Sequence, residues 1–164
     1  MISLKINRKS QLENWKEFII QISIMIPISI FLLYKYKTSM IFYPGCVFYG
    51  IQFMFTSYIY LTYYLKNKGE EYVVSVDKID RIKDGKSETY LSSDIKKIII
   101  CKSANMDNRG IPLTTFEGFR IAKVCLKDGT FFIMTNLLEY DLEKPLKTIE
   151  GVVFERKKGF SFIF

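Results

Sequence analysis

Histidine is absent from this chain, and with it the usual general base near neutral pH and the commonest metal ligand. Ser–His and Cys–His nucleophile pairs are thereby excluded. The three thiols, Cys46, Cys101 and Cys125, stand far apart, are odd in number and form no C-x-x-C pair. Neither a disulfide framework nor a zinc site is indicated, and the thiols read as buried and reduced. No G-x-x-x-x-G-K-[ST] or G-x-G-x-x-G segment is present to cradle a phosphate. The paired carboxylates Glu70 and Glu71 fall where a linker or surface is expected, and a solvated charge is the default there. Carboxylate or lysine chemistry is all that stays open to an enzyme, so no catalytic residue, cofactor or metal is expected.

Charge is the next candidate for chemistry. The chain carries 24 Lys and Arg against 17 Asp and Glu, a formal +7. Residues 1–65 hold six of the cations (Lys5, Arg8, Lys9, Lys16, Lys35, Lys37) against Glu13 and Glu17, so the remainder is only mildly basic and carries no nucleic-acid footprint. Lys5, Arg8, Lys9, Lys16, Lys66 and Lys68 flank the two uncharged stretches. They are the candidate contacts with an anionic membrane surface, at about 1 kcal/mol each. Fixing membrane topology is their simpler role.

The elements that would position these groups follow from where charge is missing. Phe18 to Tyr34 is a run of 17 uncharged residues, near the lower limit for crossing a hydrocarbon core about 30 Å thick. Ser10 followed by Glu13 fits a capping box, which starts a helix before Trp15 and sets that indole, with Lys16, at an interface. Isoleucine recurs at every second position from Ile20 to Ile30, a strand-like period. Met25 and Pro27 occupy the alternate positions, and proline would remove a ladder hydrogen bond from a central strand, so a helix bent near Pro27 is expected. The second run, Thr38 to Leu65, has no charge in 28 residues. It ends on Tyr60, Tyr63 and Tyr64 before Lys66 and Lys68, the aromatic-then-cationic order of a helix leaving a bilayer.

Two helices, over about 12–34 and 40–65, are therefore expected as a transmembrane hairpin within a segment 1–66. Gln21 and Ser23 on the first, with Gln52, Thr56 and Ser57 on the second, are candidates for hydrogen bonds across it. The chain's two alanines, Ala104 and Ala122, leave no signal-peptidase site near the first run. Positive flanks put both termini on the cytoplasmic side of a multi-pass cell-membrane protein.

Residues 67–164 read as a β domain. Tyr72–Val76 and Ser87–Leu91 bracket Asp84-Gly85, and Phe119–Leu126 and Phe131–Thr135 bracket Asp128-Gly129. Asp-Gly between strand-like runs signals a tight turn with positive φ at both central residues. Ile95–Lys102 reads as a strand covered on both faces, 141–149 as helical despite Pro145, and Val152–Arg156 as a last strand. Ser103 to Gly118 has no convincing strand, and long loops in compact domains tend to be functional or disordered. Its Arg109, Ile111, Leu113 and Phe116 are candidates for touching a partner or the bilayer, unless Phe116 merely tucks into the core.

Two uncharged helices, then Tyr72-Val73-Val74-Ser75-Val76, the step Ser92-Ser93-Asp94-Ile95, and the run from Lys127-Asp128-Gly129-Thr130 to Asn136-Leu137-Leu138 give an order that resembles a known one. It is similar to small bacterial membrane proteins whose cytoplasmic part is a PH-like domain, of the bacterial PH or YcxB-like kind. The resemblance implies a membrane-anchored α+β protein whose antiparallel sheet is strongly bent or a partly open barrel, closed at one end by a C-terminal helix. The short stretch around Pro145, followed by another strand-like run, departs from that pattern. PH-like domains bind lipid headgroups, peptides or proteins, and some small bacterial members are associated with bacteriocin immunity. Lys68, Arg81 and Lys83 loosely match the basic spacing of phosphoinositide-binding relatives.

The function expected is a non-enzymatic interaction module held at the membrane. An immunity protein against membrane-active peptides, or an accessory subunit of a transport or envelope complex, stands beside it. Its partners would be the lipid bilayer and a membrane or cytoplasmic protein, not nucleic acid, with self-association left open.

Overall fold

The computed structural model describes residues 1–36, 42–103 and 114–159. A strand, β1 (Ile2–Lys5), forms where the charge pattern suggests only a basic arm. Its alternation buries Leu4, and it pairs antiparallel with β2 (Glu70–Val74) in the register Leu4↔Tyr72. The N-terminal residues thus belong to the β domain's sheet rather than to the helices that follow. β2 pairs with β3 (Lys78–Lys83), and β3 with β4 (Lys86–Leu91), to complete a first sheet in the order β1-β2-β3-β4. Between β3 and β4 both Asp84 (φ 51°) and Gly85 (φ 75°) have positive φ, as a two-residue turn requires. Gly85→Val is expected to destabilise the chain by about 1–2 kcal/mol, the cost of forcing a β-branched residue into the left-handed region. A denaturant midpoint equal to wild type would contradict it.

After a 3-10 turn (Ser92–Asp94), β5 (Ile95–Lys102), β6 (Ile121–Leu126), β7 (Phe131–Thr135) and β8 (Val153–Lys158) form a second sheet in the order β7-β6-β5-β8. The Asp128-Gly129 turn differs from the first. Only Gly129 has positive φ, while the Asp128 carboxylate accepts hydrogen bonds from Thr130 N–H and Oγ1 at 2.8 and 2.7 Å. β8 runs parallel to β5, unlike every other strand pair described. The segment that brings it there contains one helical turn, α3 (Glu143–Leu146), instead of a helix over 141–149. Among the described residues the result is α+β with two separate four-stranded sheets and no closed barrel. A parallel edge strand stands where the resemblance implied a capping helix.

The two sheets share one core. Tyr72, Val74 and Ile79 of the first meet Ile98, Ile100, Val124 and Met134 of the second, and Leu138, Leu142 and Leu146 cover one end. Glu143 ties that end together. Its carboxylate meets Lys147 (2.9 Å), Lys102 (3.4 Å) and Arg156, so α3, β5 and β8 converge on one charge. Desolvation pushes the Glu143 carboxyl up, but its hydrogen bonds with Lys147 and Arg156 outweigh this and hold it at about 2.

The helices are α1 (Arg8–Tyr36) and α2 (Phe42–Asn67). α1 begins one turn before the Ser10–Glu13 box, because Asn7 Oδ1 accepts the Ser10 N–H at 2.9 Å and caps the helix instead. It runs through the isoleucine repeat and Pro27, so helical geometry prevails over the period of two. Among the described residues one helix, at Phe18–Tyr36, is long and apolar enough to cross a membrane. α2 does not reach that level over any comparable window. Its tyrosines, Gln52, Thr56, Ser57 and Thr62 dilute its apolar residues, so a second span is not evident from composition.

Candidate functional site at the helix–sheet junction

α2 lies on the outer face of the second sheet. In β6 and β7, Ile121 and Ile133 alternate with the core residues Ala122, Phe132 and Met134, and this outward set packs with Phe119 and Leu137 against Ile59 and Tyr63 of α2. Tyr63 and Phe119 meet edge to face at 5.3 Å between ring centroids. The second sheet is therefore apolar on both sides here, which explains the unbroken run Phe132-Ile133-Met134.

Polar clips bound this contact. Near the middle of α2, Gln52 Oε1 accepts the Thr115 N–H at 3.1 Å, and Thr56 and Thr115 share a hydroxyl hydrogen bond of 2.6 Å. At its C-terminus, Asn67 Oδ1 accepts the Thr135 N–H at 2.8 Å, and Asn67 Nδ2 donates to the Ile133 carbonyl at 3.1 Å. α1 has its own clip, because Asn136 Nδ2 donates both to Asn14 Oδ1 (2.6 Å) and to the Gly118 carbonyl (3.0 Å). These groups are buried, so each bond also avoids the cost of an unsatisfied polar atom.

Glu70 extends the Asn67 clip. Its side chain is 2% exposed, so it is not the solvated linker charge expected from sequence. Asn67 Nδ2 (2.9 Å), Tyr72 OH (2.6 Å), Arg81 Nη2 (2.6 Å) and Lys83 Nζ (3.1 Å) all donate to it. Desolvation raises the carboxyl's affinity for a proton, but the bonds from Tyr72, Arg81, Asn67 and Lys83 prevail and hold it at about 2. Burial, then the bond to Glu70, pushes the Tyr72 phenol up. A carboxylate whose lone pairs are filled by four donors is a fixed counter-ion near neutral pH, not a proton carrier. Its neighbour Glu71 accepts a bond from Ser3 Oγ at 2.6 Å, joining β2 to β1.

The remaining sequence candidates are distributed as follows. Lys5, Arg8, Lys9, Lys16, Lys66 and Lys68 are all exposed. They form no single ring. Trp15 and Phe18 of α1 meet Phe53 of α2 at 6.1 and 5.6 Å, so Lys16 is level with Phe53, while Lys66 lies about 20 Å further along α2. Gln52 and Thr56 bond to the β domain and not to α1. Among the described residues no side-chain hydrogen bond joins Gln21 or Ser23 to α2; the polar link between the helices is Tyr60 OH to Gln11 Oε1 at 2.7 Å. Phe116 is half-buried and lies 6.2 Å from the ring of Phe55. Arg109, Ile111 and Leu113 lie outside the described residues. Lys68 is exposed and forms no ion pair among the described residues, whereas Arg81 and Lys83 are committed to Glu70.

Sequence reasoning missed Asn14, Asn67, Thr115 and Asn136. A signal existed for two of them, since asparagine is unfavourable inside a helix unless its amide finds a partner. Of the thiols, Cys46 is exposed, and Cys101 and Cys125 are half-buried rather than fully so. Among the described residues no group of three His, Cys, Asp or Glu is placed to hold a metal ion. Beyond the junction the two helices border an apolar groove of about 390 Å³, lined by Ile22, Met25 and Ile26 of α1 and Gly45, Cys46 and Tyr49 of α2. Comparison with models of known protein families and with curated proteins finds no match to this chain.

Proposed function

We propose that this chain is a non-enzymatic, membrane-anchored interaction module, in which the distal parts of α1 and α2 enter the bilayer as a hairpin and present the β domain at the cytoplasmic face. The observation that carries the reading is the bare apolar surface of α1 beyond Phe18. Ile19, Ile20, Ile24, Ile26, Ile28, Ile30 and Phe31 are exposed over the broad side of the helix away from Ile22, Met25, Leu32 and Leu33, which are half-buried and border the groove with α2. In water each half-exposed side chain forgoes roughly 1 kcal/mol of burial, and lipid returns it.

The dimensions support the reading. From Lys16 to Lys35 α1 rises about 28 Å, close to the hydrocarbon thickness, with Trp15 at one limit and Tyr34 and Tyr36 at the other. Lys35 lies over the Tyr36 ring at 5.4 Å, a pairing suited to the headgroup level. On this reading the cytoplasmic boundary runs near Trp15, Phe53 and Phe116, and Lys66 and Lys68 lie too deep in the cytoplasm to act on the same leaflet through a Debye length of about 8 Å. The β domain is the part left to meet a protein partner.

Full-length protein made in bacteria is expected to stay with the membranes after an alkaline carbonate wash. A double variant, Ile24→Arg with Ile28→Arg, is expected to be released, since each charge near the bilayer centre costs about 2.5–3.5 kcal/mol or more. Wild-type protein recovered as a monodisperse species in a detergent-free high-speed supernatant would end the proposal. Failure of crosslinked membranes to yield any stoichiometric partner of the β domain would remove the interaction role and leave the anchor.

A further inference from the structure

We infer that α2 carries a self-association seam and that its occupant is the α2 of a second copy of this chain, in a parallel pair. Val47, Ile51, Met54, Tyr58, Leu61 and Leu65 follow one another at spacings of four and three in strict alternation, the a/d pattern of a two-stranded coil. All six are 50–71% exposed. Two other sides of α2 are engaged: Gln52, Thr56, Ile59, Tyr63 and Asn67 point to the β domain, and Phe53 and Tyr60 meet α1. The seam is the side opposite the β domain.

Lipid alone does not account for it. A helix facing lipid is apolar all round, whereas a helix facing one partner is apolar along a stripe. Up to Phe55 the exposed surface of α2 is broadly apolar, with Phe48 and Phe55 beside the seam. From Thr56 onward it narrows to Tyr58, Leu61 and Leu65, bordered by Ser57 and Thr62, whose hydroxyl turns back to the Tyr58 carbonyl at 2.8 Å. The stripe thus continues about 18 Å past the aromatic contact of Phe53 with Trp15 and Phe18, alongside the β domain.

A second copy fits for three reasons. Two chains held in one orientation by their own folds can bring the same stripe together about a two-fold axis, residue against identical residue. The uncharged run from Thr38 to Leu65 puts no like charge across such a contact. Covering six half-exposed apolar side chains on each copy removes on the order of 1,200 Å² in total, the lower end of stable interfaces. The inference goes beyond the anchoring proposal, because the seam pairs whether or not the distal helices enter lipid.

The test is disulfide trapping of the full chain in its own membranes, with Cys46, Cys101 and Cys125 replaced by serine. Met54→Cys and Leu61→Cys are expected to give at least fivefold more covalent dimer on mild oxidation than Ser57→Cys and Thr62→Cys. Equal trapping at the four positions, or none at any, overturns the inference. Independently of the cysteine background, wild type in lipid nanodiscs is expected to have the mass of two copies and Leu61→Glu the mass of one. A wild type with the mass of one copy, or a Leu61→Glu variant that stays paired, overturns it equally. A chain that proves soluble yet dimeric would remove the anchor and keep the seam.

Discussion

Glu70→Ala is expected to lower the stability of the full chain by about 3 kcal/mol, because breaking a buried ionic cluster leaves its cations uncompensated. Arg81 and Lys83 would lose their shared carboxylate, and Asn67 and Tyr72 an acceptor. The value sits at the low end for such clusters because Arg81 keeps a second partner in Glu88 at 3.5 Å, and Lys83 is half exposed. Glu70, together with Glu143 of the separate cluster at α3, sets an acid dependence. The folded Glu70 and Glu143 carboxyls titrate at about 2, below the ordinary 4.5 of the unfolded chain, so between these values the unfolded state binds more protons. Their contribution is complete above about pH 5 and is lost as pH falls toward 2. Denaturant midpoints in mild detergent across that range check both points. A variant within 0.5 kcal/mol of wild type at pH 7, or one with an undiminished acid slope, would show that the cluster does not clamp the fold.

That cluster also marks where sequence reasoning stops. Glu70-Glu71 beside Lys66 and Lys68 looks like solvated linker charge, since nothing local says that Arg81 and Lys83 lie on the neighbouring strand or that Asn67 turns inward. Local chemistry carried the elements well. Asp84-Gly85 announces its turn because both positions need positive φ, and Pro27 correctly demotes the isoleucine alternation from strand to helix. β1 escaped because four residues of alternation, Ile2 to Lys5, are too short to stand out against a basic flank. The parallel pairing of β8 with β5 escaped because it is fixed by the route of the chain through α3, which no strand pattern encodes.

The junction was half legible for a related reason. Gln52 and Thr56 stand out as polar positions in an apolar helix, and the economical inference pairs them with polar positions on the neighbouring helix. The structure pairs them with Thr115, some 60 residues away in sequence. A helix read as lying within the bilayer along its whole length thus has its second half against the β domain. With its clips at Gln52, Thr56 and Asn67, α2 is coupled rigidly to the sheet, so movement of its distal half would be felt at β6 and β7.

Tyr63→Ala is expected to break that coupling at a cost of about 3–5 kcal/mol, the range for removing a buried aromatic side chain and leaving a cavity. Tyr63 is 1% exposed and fills the space between α2 and the outer face of β6 and β7, edge-on to Phe119. The shared core of the two sheets does not include it, so the loss falls on the junction and not evenly on the domain. Amide exchange of the full chain should therefore accelerate in the second half of α2 and in the outward-facing positions of β6 and β7, while β2, β3 and β5 stay protected. Tyr63→Phe keeps the ring against Phe119 and should restore most of that protection. Uniform acceleration through both sheets in Tyr63→Ala would mean that α2 is part of one cooperative core, and the separation of helix and domain at this face would have to be given up.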